Sequence, residues 1–187
     1  MDEFSYLSVL MGLILGLGIT KLMEGMGHLF QARETISWYW PVKLWIGTLL
    51  LFHIQAWWAM YELRHIPQWT FLSFLVVLIQ PVLLFLLSAL ALPDARESLH
   101  IDLEKTFHAH ALISFRIATM MVLSSVLKEY WLYHRMPYGQ NLIFHGAFTS
   151  LFLIGSVKSL TFLSRWIVAS VALLLLLYIA LLFSTLT

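Results

Sequence analysis

The chain has 187 residues and a mass of 21.6 kDa, is 60% hydrophobic and 11% charged, and has a formal net charge of +1 with a mean hydropathy of +0.84. A soluble domain carries about 25% charged residues, so this chain has too few charges to cover a water-facing surface. That excludes a large soluble catalytic domain, and the near-neutral charge leaves no basic face for nucleic acid. With no cysteine, disulfides and thiolate sites are excluded as well.

A spanning helix needs roughly 20 mainly apolar residues to cross about 30 Å of hydrocarbon. The sequence predicts six, at about 4–29, 41–61, 69–92, 107–127, 141–157 and 166–186. All are expected to be helices, because open strands leave backbone groups unsatisfied in lipid. Runs such as Leu173 to Leu177 also lack the alternation of a membrane β-barrel. The expected fold is therefore all-α: a compact bundle of six transmembrane helices forming one domain over 1–187. Trp38, Trp40, Trp69, Trp131 and Trp166 fall at the proposed ends, as interfacial aromatic belts require. Pro41, Pro67, Pro93 and Pro137 lie at or between ends, where a missing N–H costs least.

The first predicted helix follows Met1-Asp2-Glu3, without a basic n-region and too long for a signal h-region. Gly12, Gly16, Thr20 and Gly27 share one face, and Gly12 with Gly16 forms a small-xxx-small pair suited to close helix packing. Lys21, Glu24 and His28 form an ionisable stripe on the roughly opposite face. Two readings stay open: one long span, or a span ending near Thr20 that continues as a wet amphipathic helix. On the second helix Thr48, Gln55 and Glu62 repeat at heptad spacing, while His53 points nearly opposite Gln55. His53 lies about 18 Å from the helix start at 1.5 Å per residue, near mid-membrane.

The third helix holds Gln80 next to Pro81, which frees the carbonyl of Val77 and tends to kink the helix. The charged segment from Asp94 to Lys105 reads as a short interfacial helix or ordered loop. On the fourth helix His108, Arg116 and Thr119 form one polar edge; His110, Ser114, Ser125 and Lys128 form another. Arg116 is deep enough to need a partner, since an intramembrane charge costs about 2.5–3.5 kcal/mol on insertion scales, and Glu24 is the candidate; snorkelling along its own helix is the alternative. The fifth helix carries His145, Thr149 and Ser156 on one stripe, and the Leu-rich sixth reads as peripheral.

Lys21, Arg33, Lys43, Arg96, Lys105, Arg116, Lys158 and Arg165 fall on one side of this topology, against Arg64, Lys128 and Arg135 on the other. Lys and Arg mark the cytoplasmic face, so both termini are expected outside the cytoplasm, in a plasma (inner) membrane. No GxSxG, P-loop, glycine-rich dinucleotide fingerprint or HExxH occurs. The polar residues point first to a small channel or transporter for an ion, proton or small polar solute. Lys21, Glu24, His28, His108, His110 and Arg116 would line a cytoplasmic vestibule, with Gln55, Gln80 and His53 deeper. Six helices enclose little volume, so a homo-oligomer with Gly12 and Gly16 at its interface is expected. The alternatives are a membrane assembly subunit packed against partner helices, and a redox protein holding haem or metal through His53 and His145. The only environment implied outright is the lipid bilayer.

Overall fold

Three of the helix starts, those of α2, α3 and α4, fall where the sequence supplies a cap or a proline. In the computed structural model, which describes residues 3–92 and 101–182, α1 runs over Glu3–Gln31, α2 over Trp40–Ala59, α3 over Phe71–Ala91, α4 over Leu103–Tyr133, α5 over Gly139–Gly155 and α6 over Ser164–Leu182. Pro41 occupies the first turn of α2, where its missing N–H has no intrahelical partner to lose. Thr70 caps α3 by accepting from Ser73 N–H, and Asp102 caps α4 by accepting from Lys105 N–H. At its far end α4 is closed by His134 in the left-handed conformation (φ 51°), and Gly139 at φ 58° opens α5. A tight reversal of this kind lays α5 back along α4.

Among the described residues the chain is thus six α-helices, with short 3-10 turns between them and one minimal parallel strand pair. That pair joins Ile36–Ser37 (β1) to Ile101–Asp102 (β2), with Ile36 opposite Ile101. It ties the connection after α1 to the connection before α4. Its second strand falls inside what the sequence presents as a short interfacial helix or ordered loop from Asp94 to Lys105; residues 94–100 of that segment lie outside the described ones.

Four helices are long and apolar enough to cross a bilayer: α1, α3, α4, and α6 with the turn before it (Lys158–Leu182). By length and composition this is an integral membrane protein. The helices α2 and α5 fall short of that standard. Lys43, His53 and Gln55 lower the apolarity of α2, and α5 has only 17 residues.

The packing order decides which residues can meet. α1 packs on α3, α3 on α4, α4 on α5, α5 on α6 and α6 on α2, while α2 also touches α1 and α3. α3 therefore lies between α1 and α4. At one end of the bundle Glu3 accepts from the Trp69 N–H, and Trp131 Nε1 donates to Ser73 Oγ. Hence the N-termini of α1 and α3 share that end with the C-terminus of α4. Tyr178 donates to Asn141 Oδ1 there too, bringing in the start of α5 and the end of α6.

The helices are held by side chains filling one another's grooves. Gly18 of α1 admits His53 of α2, Gly25 admits Leu92, and Gly155 of α5 admits Phe115 of α4. The sequence points instead to Gly12 and Gly16 as the packing seam. A Cβ built at either meets nothing within 4 Å, so this pair seats no helix of its own chain. The sixth helix is peripheral on one side only: Leu173, Leu176 and Leu177 are exposed, while Val168, Val171 and Leu175 are fully buried.

Candidate functional site

Side chains from α2, α4, α5 and α6 converge on a cleft of about 630 Å³ at the end of the bundle where α4 turns into α5. Gln55 and Glu62 reach it from α2 and the turn after it, and Ser125, Lys128 and Glu129 from the last three turns of α4. Asn141 and His145 come from the first turns of α5, and Tyr178 from α6. Arg135 and Tyr138, in the α4–α5 turn, stand at its rim with the guanidinium 5.4 Å from the ring centroid. Leu63, Ala59 and Leu182 supply apolar wall.

The polar groups are wired together. Lys128 Nζ donates to Gln80 Oε1 at 3.1 Å across the α3–α4 interface. The carboxylates of Glu62 and Glu129 line the same cleft. Asn141 Nδ2 donates to Glu129 Oε2 at 3.2 Å, while Asn141 Oδ1 accepts from Tyr178. His145 Nδ1 lies 2.8 Å from the Asn141 carbonyl and its Nε2 lies 3.2 Å from Ser125 Oγ. A carbonyl can only accept, so Nδ1 carries the proton; in the neutral ring Nε2 then accepts from the serine. Two cationic and two acidic side chains in one half-enclosed space suit recognition by polar complementarity rather than by net charge.

The cleft is blind. Behind Tyr178 and His145 stands a run of aromatic rings through the centre of the bundle. Tyr178 meets Phe148 at 6.0 Å, Phe148 stacks on Phe152 at 6.3 Å, and Phe152 and Phe115 both meet Trp45, at 6.4 and 6.0 Å. Beyond this plug a void of about 10 Å³ is lined by Trp45, His110 and Ser114, roughly the space of a single water.

The vestibule expected at the opposite end does not assemble among the described residues. Lys21, Glu24, His108 and Arg116 are all exposed. His28 sits 3.7 Å from Glu24 on its own helix, and His108 3.9 Å from Glu104 on its own. The Glu24–Arg116 pair does not form, because α3 packs between α1 and α4. Gln55 and Gln80 do belong to the polar cluster, the first lining the cleft and the second through Lys128. His53 does not. It is 0% exposed, with Nδ1 on the Leu49 carbonyl at 2.8 Å and Nε2 facing Ser88 and Gly18. His145 serves α4 and α6 instead, so the two imidazoles expected as joint ligands of a haem or metal occupy different helix interfaces. No group of three or more potential metal ligands occurs among the described residues.

Sequence reading places Ser125 and Lys128 on one edge of α4 and His145 on a polar stripe of α5, yet does not bring these two helices together. The missing signal is the neighbour relation between helices, which no spacing within one helix carries. No family model, curated protein or solved structure matches this chain, so any functional reading rests on the chemistry of the cleft itself.

Proposed function

We propose that this protein crosses the membrane six times and carries a small polar solute, binding it in the Lys128 cleft. The shared end of the α1 and α3 N-termini supports the count: two parallel spans joined in sequence require α2 to cross back between them. The common end of α4 and α6 asks the same of α5. Because α2 buries nearly half of its residues against α1, α3 and α6, it needs less apolar surface than a helix bathed in lipid.

The observation that carries the reading is a polar chamber open at one end and stopped by aromatic rings at the other. An open channel needs a continuous wet path, whereas a carrier exposes its site to one side at a time. Lys128 is the solute's fixed cation, Gln80 holds it in place, and Gln55, Glu62 and Glu129 complete the polar lining. Lys21, Glu24, His28, His108 and Arg116 would serve only at the exit side. Purified protein in liposomes is expected to take up labelled zwitterionic or polar solutes, and Lys128→Ala to lower that uptake at least tenfold. Wild-type uptake no faster than that of empty vesicles across protons, alkali cations, anions and amino acids overturns the reading.

A second reading, an assembly subunit or homo-oligomer, is favoured by Arg116. It is exposed and unpaired among the described residues, about 20 Å along a helix of about 46 Å. A charge at that depth calls for a partner, and the open face of Gly12 and Gly16 offers room for one. An oligomer in mild detergent that Arg116→Leu dissociates would carry it.

A further inference from the structure

The fold contains two serine–histidine pairs built to the same plan, and they differ in one respect. In both, the histidine donates from Nδ1 to the carbonyl four residues back, at 2.8 Å, leaving Nε2 to face a serine on a neighbouring helix. At His53 the partner is Ser88, 3.4 Å away, whose hydroxyl also donates to the Leu84 carbonyl at 3.1 Å. Its proton is committed to the backbone, and the pair is sealed beneath Gly18. At His145 the partner is Ser125, 3.2 Å away. Serine and threonine inside apolar helices ordinarily return their proton to a carbonyl three or four residues back. Thr48, Ser88, Thr119, Ser124, Ser150 and Ser156 all do so here. Ser125 does not; the Met121 carbonyl is taken by Ser124, and Ser125 Oγ points to His145 Nε2 in the wall of the cleft.

We propose that Ser125 and His145 form a nucleophile–base dyad that cleaves acyl esters of amphiphiles. Ser125 Oγ attacks the ester carbonyl carbon as its proton passes to His145 Nε2, and the Asn141 carbonyl holds the ring in the tautomer this requires. Lys128, three residues along the same face of α4, faces the oxyanion that develops. Collapse breaks the bond to the alcohol oxygen, which takes the proton from Nε2. Water, deprotonated by His145, then attacks the acyl-serine, releasing a carboxylic acid and restoring the hydroxyl. Depth selects the substrate class. A helix of 31 residues is about 46 Å long against about 30 Å of hydrocarbon, so a centred α4 overhangs by about 8 Å at each end. Ser125, about 12 Å from the Tyr133 end, then sits just below the polar boundary, the level of the ester carbonyls of bilayer lipids.

Two measurements on the purified full chain in detergent test the dyad. Wild type is expected to acquire one fluorophosphonate adduct on Ser125 and to hydrolyse p-nitrophenyl decanoate; Ser125→Ala loses both, and His145→Gln slows both at least tenfold. Independently of substrate entry, iodoacetamide should alkylate Ser125→Cys at pH 6.5 at least tenfold faster than the same variant carrying His145→Phe. An adduct confined to wild type together with the His145-dependent rate supports the proposal; failure of either overturns it and leaves the pair an interhelical clamp. The dyad goes beyond solute transport and fails separately from it, because solute flux reports on Lys128 without requiring Ser125.

Discussion

Gly16 and Gly18 lie two positions apart on α1, yet a methyl group added at the first would meet nothing within 4 Å, whereas one added at the second would run into the imidazole of His53. That ring cannot swing away, because Leu49 holds its Nδ1 and the ring is fully buried. Overpacking a tight core costs about 1–3 kcal/mol, while replacing a helical glycine by alanine in open space gains about 0.5–1 kcal/mol. Gly18→Ala is therefore expected to lower the thermal midpoint in mild detergent, and Gly16→Ala to hold or raise it. Equal losses from both would mean that something outside this chain covers Gly16. The same contrast shows why small residues mislead when read from sequence. Gly12 and Gly16 have the spacing of a packing motif, but the glycines that do the packing are those whose neighbours happen to be an imidazole, a leucine and a phenylalanine.

Helix α4 illustrates what an element owes to its ends. Asp102 Oδ1 accepts from Lys105 N–H at 3.0 Å, satisfying one of the four orphan donors of the first turn. It does so from within the β1–β2 pair that ties this end of α4 to the chain leaving α1. Asp102→Ala is expected to cost about 1 kcal/mol, read as a lower thermal midpoint, and Asp102→Asn, which keeps the acceptor, to stay near wild type. A loss in Asn equal to that in Ala would place the stabilisation in the negative charge instead of the cap. The existence and order of all six helices is legible in the sequence, because long apolar runs between prolines and tryptophans leave lipid few alternatives. The length of α4 is not. An apolar window stops at Phe107 and Leu127, where charges begin, but a helix entering water has no reason to stop there. The extra turns carry Lys128 and Glu129, so half of the cleft sits in residues that hydropathy assigns to a boundary. The other half depends on α3 lying between α1 and α4, a relation set by packing between helices. It moves the polar centre from Glu24 and Arg116 to Lys128.

At the scale of the whole molecule the number of crossings decides which side the cleft faces, and the absence of cysteine makes it directly measurable. Thr35, Gln68, Met136 and Ser159 are exposed positions in four of the five connections between helices, and each can carry a single new thiol. Gln68 and Met136 belong to the end that holds the cleft, Thr35 and Ser159 to the other. The basic residues concentrate at the Thr35 and Ser159 end, which the positive-inside rule places in the cytoplasm. In intact cells a membrane-impermeant maleimide should therefore label Gln68→Cys and Met136→Cys, and should reach Thr35→Cys and Ser159→Cys only after permeabilisation. The inverse pattern would keep six spans but turn the cleft toward the cytoplasm, reversing the side from which solute or ester enters. If Thr35→Cys and Gln68→Cys react from the same side, α2 does not cross. The parallel arrangement of α1 and α3 could not then persist in a bilayer, and the end at which Lys128, Glu129 and His145 converge would lose the α2 wall that supplies Gln55.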